Sequence, residues 1–537
     1  MRGGQTGTLQ PGSMDGQVTN SLTGEPVGGA VLHLIPLRYR SGDNQQQPQQ
    51  ASAQADGTFH FDSVLPGNYV VTAERAGFVP NQLNSKSRMV MVSPGQSLNG
   101  VLVSLTPEGS IVGKIEEEDG TAVPGARVEA LAPLSTHGRA SLKLYASVTA
   151  DSHGKFSLGT LPPNDYYVMV EPPPPAEKKK PAKDGGDLVR TFFPRSIDID
   201  GASSVGVTAG QSLPDITVRV RRTTTFHIRG KIADAASEAA PQNLTLAISP
   251  RGAVDSVSLT TKVPVTSNKA FDIGGLTPGA YTLRLTAGAS ASGRHDALLA
   301  RQDVEIGAMN LDGVVLSVLP ALTVSGQIRV EGAGNPSLPR VAVVARPLED
   351  MSHATQGFAT VERDGSFTIS KLDPGPYVFH VFAPDSGMYL KSLALNQQDV
   401  LNKEADLSNV TSARLEAVLT PGAAEVDGTV QGTGDAPVNT IILAPESIGP
   451  DGAGVLFSYS RRDGSFAFKN VPPGKYFGYA VQRGDPNLWQ NPEFLQAMQA
   501  QGTSLEVGEN SRQQVQLPLQ PLEQVELAAG RLGLQAR

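Results

Sequence analysis

The chain has 537 residues, a net charge of −8, a pI near 5.6, 40 prolines, 57 glycines and no cysteine. That length exceeds a single core and suggests three to five domains, while the missing cysteine excludes disulfides, thiolate metal sites and cysteine nucleophiles. No dense basic patch is present to neutralise phosphates, which argues against nucleic acid as a partner, and no apolar run is long enough for a transmembrane segment.

The N-terminal "MRGGQTGTLQPGS" carries no apolar stretch, so no secretory signal is visible. Either the protein stays inside the cell or its true start lies upstream of Met1. Residues 1–12 read as a disordered leader. A first unit, 13–107, then opens with Gly16-Gln-Val18 and continues through "EPVGGAVLHL", a turn followed by an alternating strand. The polar run "DNQQQPQQ" (43–50) reads as disordered. After it comes "DGTFHFDSVLPGNYVVTA" from Asp56, and the unit closes on the strand "GVLVSL". The Asp-Gly predicts a two-residue hairpin with positive φ at the glycine. Phe59 and Phe61 share one strand face. The Pro-Gly predicts a second turn with positive φ at its glycine, and Tyr69 begins another strand.

The same sentence recurs four more times. Its phenylalanines are Phe59, Phe156, Phe271, Phe367 and Phe466, at spacings of 97, 115, 96 and 99 residues. A tyrosine follows each ten residues on, at Tyr69, Tyr166, Tyr281, Tyr377 and Tyr476. An opening Gly-x-[Val/Ile] stands 38 to 43 residues before each phenylalanine, at Gly16, Gly113, Gly230, Gly326 and Gly428. Repetition at this period means whole domains in tandem. The units are 13–107, 108–223, 224–321, 322–421 and 422–521, followed by a tail, 522–537. The second holds an insertion, "EPPPPAEKKKPAKDGGD" (171–187), which reads as disordered. The third has Asn268-Lys269 where the others have a turn ending in glycine. The fifth holds "PNLWQNPEFLQAMQAQG" within 486–502, a short helix on a loop. Short junctions such as "LTPEGSIVGKI" predict a semi-rigid, extended monomer.

About seven short strands per unit define an all-β chain of five tandem seven-stranded antiparallel β-sandwiches. The pattern G-x-V, P-x-x-G-A-x-V, D-G-x-F-x-F-x-x-L-x-P-G-x-Y resembles the carboxypeptidase regulatory-like domain. That resemblance implies a transthyretin-like (prealbumin-like) sandwich, related in shape to Cna-B-type adhesin repeats and starch-binding domains. Its motif consists of turn and core residues, and says little about activity.

Groups that carry chemistry are sparse. None of the eight histidines pairs with another His or a Glu at zinc-ligand spacing, and His380 reads as an exposed strand residue. No Gly-x-Ser-x-Gly occurs, and "GSIVGK" (109–114) is one residue short of a phosphate loop. "SIDIDG" (196–201) echoes a calcium loop, but Ser196 replaces the first acid and Val207 the last, so a turn is the better reading. Cna-B-like sandwiches imply a Lys–Asn crosslink, yet Lys114 and Lys231 fall opposite the apolar phase of their strands. The expectation is a non-enzyme with no cofactor and no metal.

Aromatic residues offer one candidate site. The fifth unit holds nine of the chain's 29 aromatic residues counted from Phe, Tyr and Trp. Tyr459, paired across the Asp463-Gly464 turn with Phe468, reads as core. Phe477 and Tyr479 are out of phase with Tyr476, so they point away from the core, and Trp489 follows on the adjoining loop. These three are the candidate ligand-binding residues, a platform for successive sugar rings, with burial beneath the 486–502 helix as the competing reading. The favoured function is a non-enzymatic bacterial cell-surface or secreted scaffold or adhesive array, extracellular or in the cell envelope. Its partners would be a polysaccharide or another surface protein. The alternative is a carbohydrate-binding protein.

Overall fold

The computed structural model describes residues 10–36, 47–80, 88–136, 139–173, 186–233, 244–251, 260–263, 265, 269–287, 297–318, 322–332, 341–348, 356–384, 386–408, 410–432, 439–461, 463–482, 485–532 and 534. The disordered readings for 1–9, 43–46 and 174–185 lie outside those residues. Their flanks are ordered: Gln49 and Gln50 begin the strand Gln49–Ser52, and Asp187 pairs with Thr223.

The chain is all-β, with two main sheets in each repeat and, in the second, a further two-stranded pairing of Asp187–Leu188 with Arg222–Thr223. In the first repeat one sheet runs in the order Thr58–Val64, Gly12–Asn20, Ser97–Pro107, Phe78–Val79. The other runs Gln49–Ser52, Val31–Pro36, Gly67–Glu74, Arg88–Val92. A buried cluster lies within each of the five repeats. The chain divides into two compact units, residues 1–132 with 144–223 and residues 133–143 with 224–537. The pairing is not wholly antiparallel. In every repeat the closing strand runs parallel to the opening strand, as Gly12–Asn20 beside Ser97–Pro107. Since the chain enters and leaves on neighbouring strands in one direction, the next repeat can start almost at once; only Glu108 separates Ser97–Pro107 from Gly109–Glu116.

The repeated residues meet in space. Each opening glycine lies opposite its phenylalanine on the antiparallel neighbour: Gly16 and Phe59, Gly113 and Phe156, Gly230 and Phe271, Gly326 and Phe367, Gly428 and Phe466. The ring lies across the glycine. A Cβ at Gly113 would stand 2.8 Å from the Phe156 ring, and one at Gly428 would overlap both Phe466 and the carbonyl of Val515. Only a residue without a side chain fits there.

The turn before each phenylalanine differs from expectation. It has three residues, with Gln54 N–H bonded to Thr58 O and Gly57 N–H to Gln54 O in the first repeat. Its two arms then enter opposite sheets, Gln49–Ser52 in one and Thr58–Val64 in the other. The positive φ is present at Gly57, Gly154, Gly365 and Gly464, and Lys269 takes it at 61° in the third repeat. That residue's carbonyl accepts the opening-strand amide in all five repeats, from Val18, Ile115, Ile232, Ile328 and Val430 at 2.8–3.0 Å. Because the arms separate, Tyr459 pairs with Thr440 rather than Phe468 and is 63% exposed, not core.

The second turn differs in part. At the Pro-Gly pair Gly279, Gly375 and Gly474 take the expected positive φ, at 158°, 153° and 155°, while Gly67 of the first repeat does not. A left-handed residue also stands four places earlier, at Ser63, Thr160, Gly275, Lys371 and Asn470, where a bulge interrupts each phenylalanine strand. Each tyrosine hydroxyl then donates to the carbonyl four residues back, on Leu65, Pro162, Thr277, Asp373 and Pro472, at 2.6–2.9 Å. The bulge and this bond together fix the corner that brings the tyrosine into the core.

Two variants of the fifth repeat check this account through Trp489, the only tryptophan of the chain. Gly428→Ala should lower stability by about 1–3 kcal/mol, as overpacking does. Tyr476→Phe should cost about 1 kcal/mol by leaving the Pro472 carbonyl without its donor. Urea titration followed by Trp489 fluorescence measures both, and an unchanged midpoint for Gly428→Ala would refute the glycine–phenylalanine contact.

Candidate functional site

Phe477 and Tyr479 point away from the core of the fifth sandwich, as their strand phase requires, but they do not form an open platform. Tyr479 is 1% and Trp489 0% exposed, and Phe477 is half-buried. The reason lies in the insertion. Asn491 caps the helix Pro492–Met498, its side chain accepting the Phe494 amide at 2.8 Å, with proline at the start of the first turn. That helix places Phe494, Leu495 and Met498 over the sheet's outer face. Trp489 lies between, 4.9 Å from the Tyr479 ring and 5.1 Å from Phe494, centroid to centroid. The tail forms the helix Leu522–Arg531, whose Val525 and Ala529 close the same cluster. The fifth sandwich therefore has a second core outside its sheet. A sugar cannot stack on the faces of Tyr479 and Trp489, which protein already covers, and Phe477 packs partly against the same cluster.

The equivalent face of the fourth sandwich is organised differently. Register places Val344 beside Phe358 and His380, as it places Ile442 beside Phe457 and Tyr479 in the fifth. No helix covers it among the described residues; the 449–454 turn of the fifth sandwich reaches it instead. Ala453 packs on Leu348 and Val378, a Cβ on Gly449 would stand 2.4 Å from Asn402 O, and Gly454 lies beside the Asn402 side chain. Asp451 enters between Arg346 and His380. Its Oδ2 accepts from Arg346 Nη1 at 2.9 Å and lies 3.2 Å from His380 Nε2. The Asp451 side chain is 2% exposed, its φ is 55°, and its Oδ1 has no hydrogen-bond partner among the described residues. His380 is thus half-buried and engaged with an acid from the next repeat, not a free strand histidine. Phe382, stacked 6.2 Å from His380, and Phe358 remain 50% and 63% exposed.

Reading the sequence did not find this cluster. "GPDGAG" reads only as a turn, and its partners stand 71 and 105 residues earlier. Glu129 is also buried, 1% exposed and paired with Arg127 at 3.0 Å, whereas other ion pairs lie at the surface. His60 bridges Asp15 and Asp62 at 2.6 and 2.8 Å, and hydrogen bonds to Asp62 and Asp15 raise its pKa. Lys114 pairs with Glu116 on the solvent side, and Lys231 is exposed. "SIDIDG" forms a turn with Ser196 bonded to Asp198 O. Among the described residues no three His, Asp or Glu converge on a metal-sized site.

Residues 13–106 match the family model of the carboxypeptidase regulatory-like domain. The first repeat thus carries the family's sequence signature, and the glycine–phenylalanine–tyrosine contacts recur through the other four. No curated protein matches the chain. Similar solved structures include the minor pilin of Streptococcus agalactiae, 12% identical over 40% of this chain and 96% of that one, TM-score 0.23. The major pilin subunit of Bacillus cereus is 13% identical over 58% and 100%, TM-score 0.16. The Bacillus anthracis TIE protein is 11% identical over 76% and 74%, TM-score 0.17. Scores this low leave the fold resting on the residue contacts themselves.

Burial pushes the Tyr476 and Tyr479 phenols up to about 12. Unfolded tyrosine releases its proton near pH 10, so the stabilising preference is whole below about pH 10 and is lost as pH rises toward 12. Alkaline titration should show Trp489 fluorescence collapsing in that window. Trp489→Ala should cost about 3–5 kcal/mol, as for a large buried aromatic. Strong acrylamide quenching of native Trp489 would contradict its burial.

Proposed function

We propose that the chain is a non-enzymatic, multidomain scaffold of carboxypeptidase regulatory-like sandwiches, acting at the bacterial cell surface or outside the cell. One observation carries this reading. The residues shared by all five repeats are spent on contacts within the sandwich, the glycine under the phenylalanine ring and the tyrosine hydroxyl on its corner carbonyl. What varies is the outer sheet face, closed by helices in one repeat and met by a neighbour's turn in another. Repeats with a fixed interior and individual exteriors suit a scaffold that displays different surfaces along one chain. Its partners would be other surface proteins.

Fractionation of native cells should recover the protein in the envelope or the medium, accessible to added protease. The purified chain should turn over no peptide, ester or glycoside substrate. Cytosolic recovery, or a turnover that stays with the protein through purification, would overturn the proposal.

A second reading, carbohydrate binding, is favoured only by the exposed aromatics Phe358, Phe382 and Tyr459. If they stack on sugars, Phe358→Ala with Phe382→Ala should abolish retention on a glycan array while leaving the melting temperature nearly unchanged. A native chain that binds no glycan removes this reading.

A further inference from the structure

We propose that Asp451 is a latch that makes the fourth and fifth sandwiches unfold as one cooperative unit. Tandem domains joined by a short peptide are independent by default unless an interface couples them. Here the interface is built around a buried charge. Asp451 comes from the fifth sandwich, and both groups facing its carboxylate, Arg346 and His380, come from the fourth. No other charged group on the strands Ala342–Pro347, Gly357–Thr360 or Pro376–Phe382 shares that pocket's face.

Three features distinguish this contact from an ordinary surface ion pair. A carboxylate 2% exposed is stranded if its partners leave without water replacing them, so separating the sandwiches requires the turn to rearrange. Asp451 is held at φ 55°, a strained conformation for a residue with a side chain, and persists there because its surroundings over-determine it. Behind it Gly452 leaves no room for a side chain, a Cβ there standing 2.7 Å from the Gln490 backbone, so the turn is braced against the segment that carries Trp489. Force or disorder in the fourth sandwich is therefore passed through Arg346 and Asp451 to the second core of the fifth. Other contacts also join the two: Ala453 packs on Leu348 and Val378, Asn470 Nδ2 donates to Ala383 O at 3.4 Å, and Gly387 N–H and Tyr389 OH donate to Asn470 Oδ1 and Glu509 at 3.0 Å each. None of these buries a charge, so Asp451 is the contact whose loss is tested.

The full-length chain provides its own reporter, since Trp489 lies in the fifth sandwich alone. Phe367→Leu loosens only the fourth core, over Gly326. In the native background it should lower the Trp489 urea midpoint, by roughly half a molar. In an Asp451→Asn background, which keeps the shape but not the charge, Phe367→Leu should no longer move that midpoint. Arg346→Met provides the same test from the other side should Asp451→Asn fail to fold, and Tyr389→Phe should leave the coupling intact. The proposal is overturned if Phe367→Leu leaves the native Trp489 midpoint where it was. It is equally overturned if the shift is the same with and without the Asp451–Arg346 pair.

Discussion

Everything in these repeats is arranged around a phenylalanine ring lying across a glycine on the neighbouring strand. The ring fills the space that a side chain on the glycine would occupy, so the pair acts as one core residue assembled from two strands. This pairing sets the register of the opening strand against the phenylalanine strand, because a slip of one residue would place a Cβ beneath the ring and turn the apolar face to solvent. It also sets the separation of the sheets, since Phe59 and its counterparts stand at their centre. The left-handed turn residue before the ring gives its carbonyl to the opening strand two places beyond the glycine. The tyrosine corner then returns the chain to the opposite sheet. Three short motifs thus close one sandwich, and the parallel closing strand releases the chain where the next can begin.

A sheet of this kind has two faces, and the repeats use them differently. The inner face is the same in kind from one repeat to the next. The outer face is individual. In the fifth repeat Ile442, Tyr479 and Val481 are apolar enough to need a cover, which the inserted helix and the tail supply. The matching positions of the fourth hold Val344, His380 and Phe382, partly met by the Asp451 turn. In the first repeat the same row carries the polar His33 and the buried Thr72, with His33 3.5 Å from Glu74. Individuality among repeated domains therefore lies outside the core, where binding and assembly also take place.

Much of this was legible in the chain alone. The five repeats, their strand phases and the helix within 486–502 follow from spacing and alternation, which are local properties of a strand or a turn. Tyr281, Leu283 and Leu285 are buried as their alternation requires. The errors share one cause. Asp463-Gly464 dictates a turn but not that its arms part into different sheets, which is why Tyr459 pairs with Thr440 and not with Phe468. Alternation puts Phe477 and Tyr479 on the correct side of their strand, yet which side is covered depends on a helix that begins thirteen residues beyond Tyr479 and on a tail nearly fifty residues away.

The sequence by itself determined the interior of each sandwich, because a glycine, a phenylalanine and a tyrosine at fixed offsets specify backbone conformation and cross-strand register within one repeat. Tertiary structure alone decided the fate of the outer faces. Whether an outward aromatic is a surface or a core depends on distant segments folding over it, as Trp489, Val525 and Ala529 do. The same holds for Asp451, an unremarkable acid in a glycine-rich turn until a neighbouring repeat supplies Arg346 and His380. Burial of a charge is a property of two surfaces meeting, and no local pattern encodes that meeting.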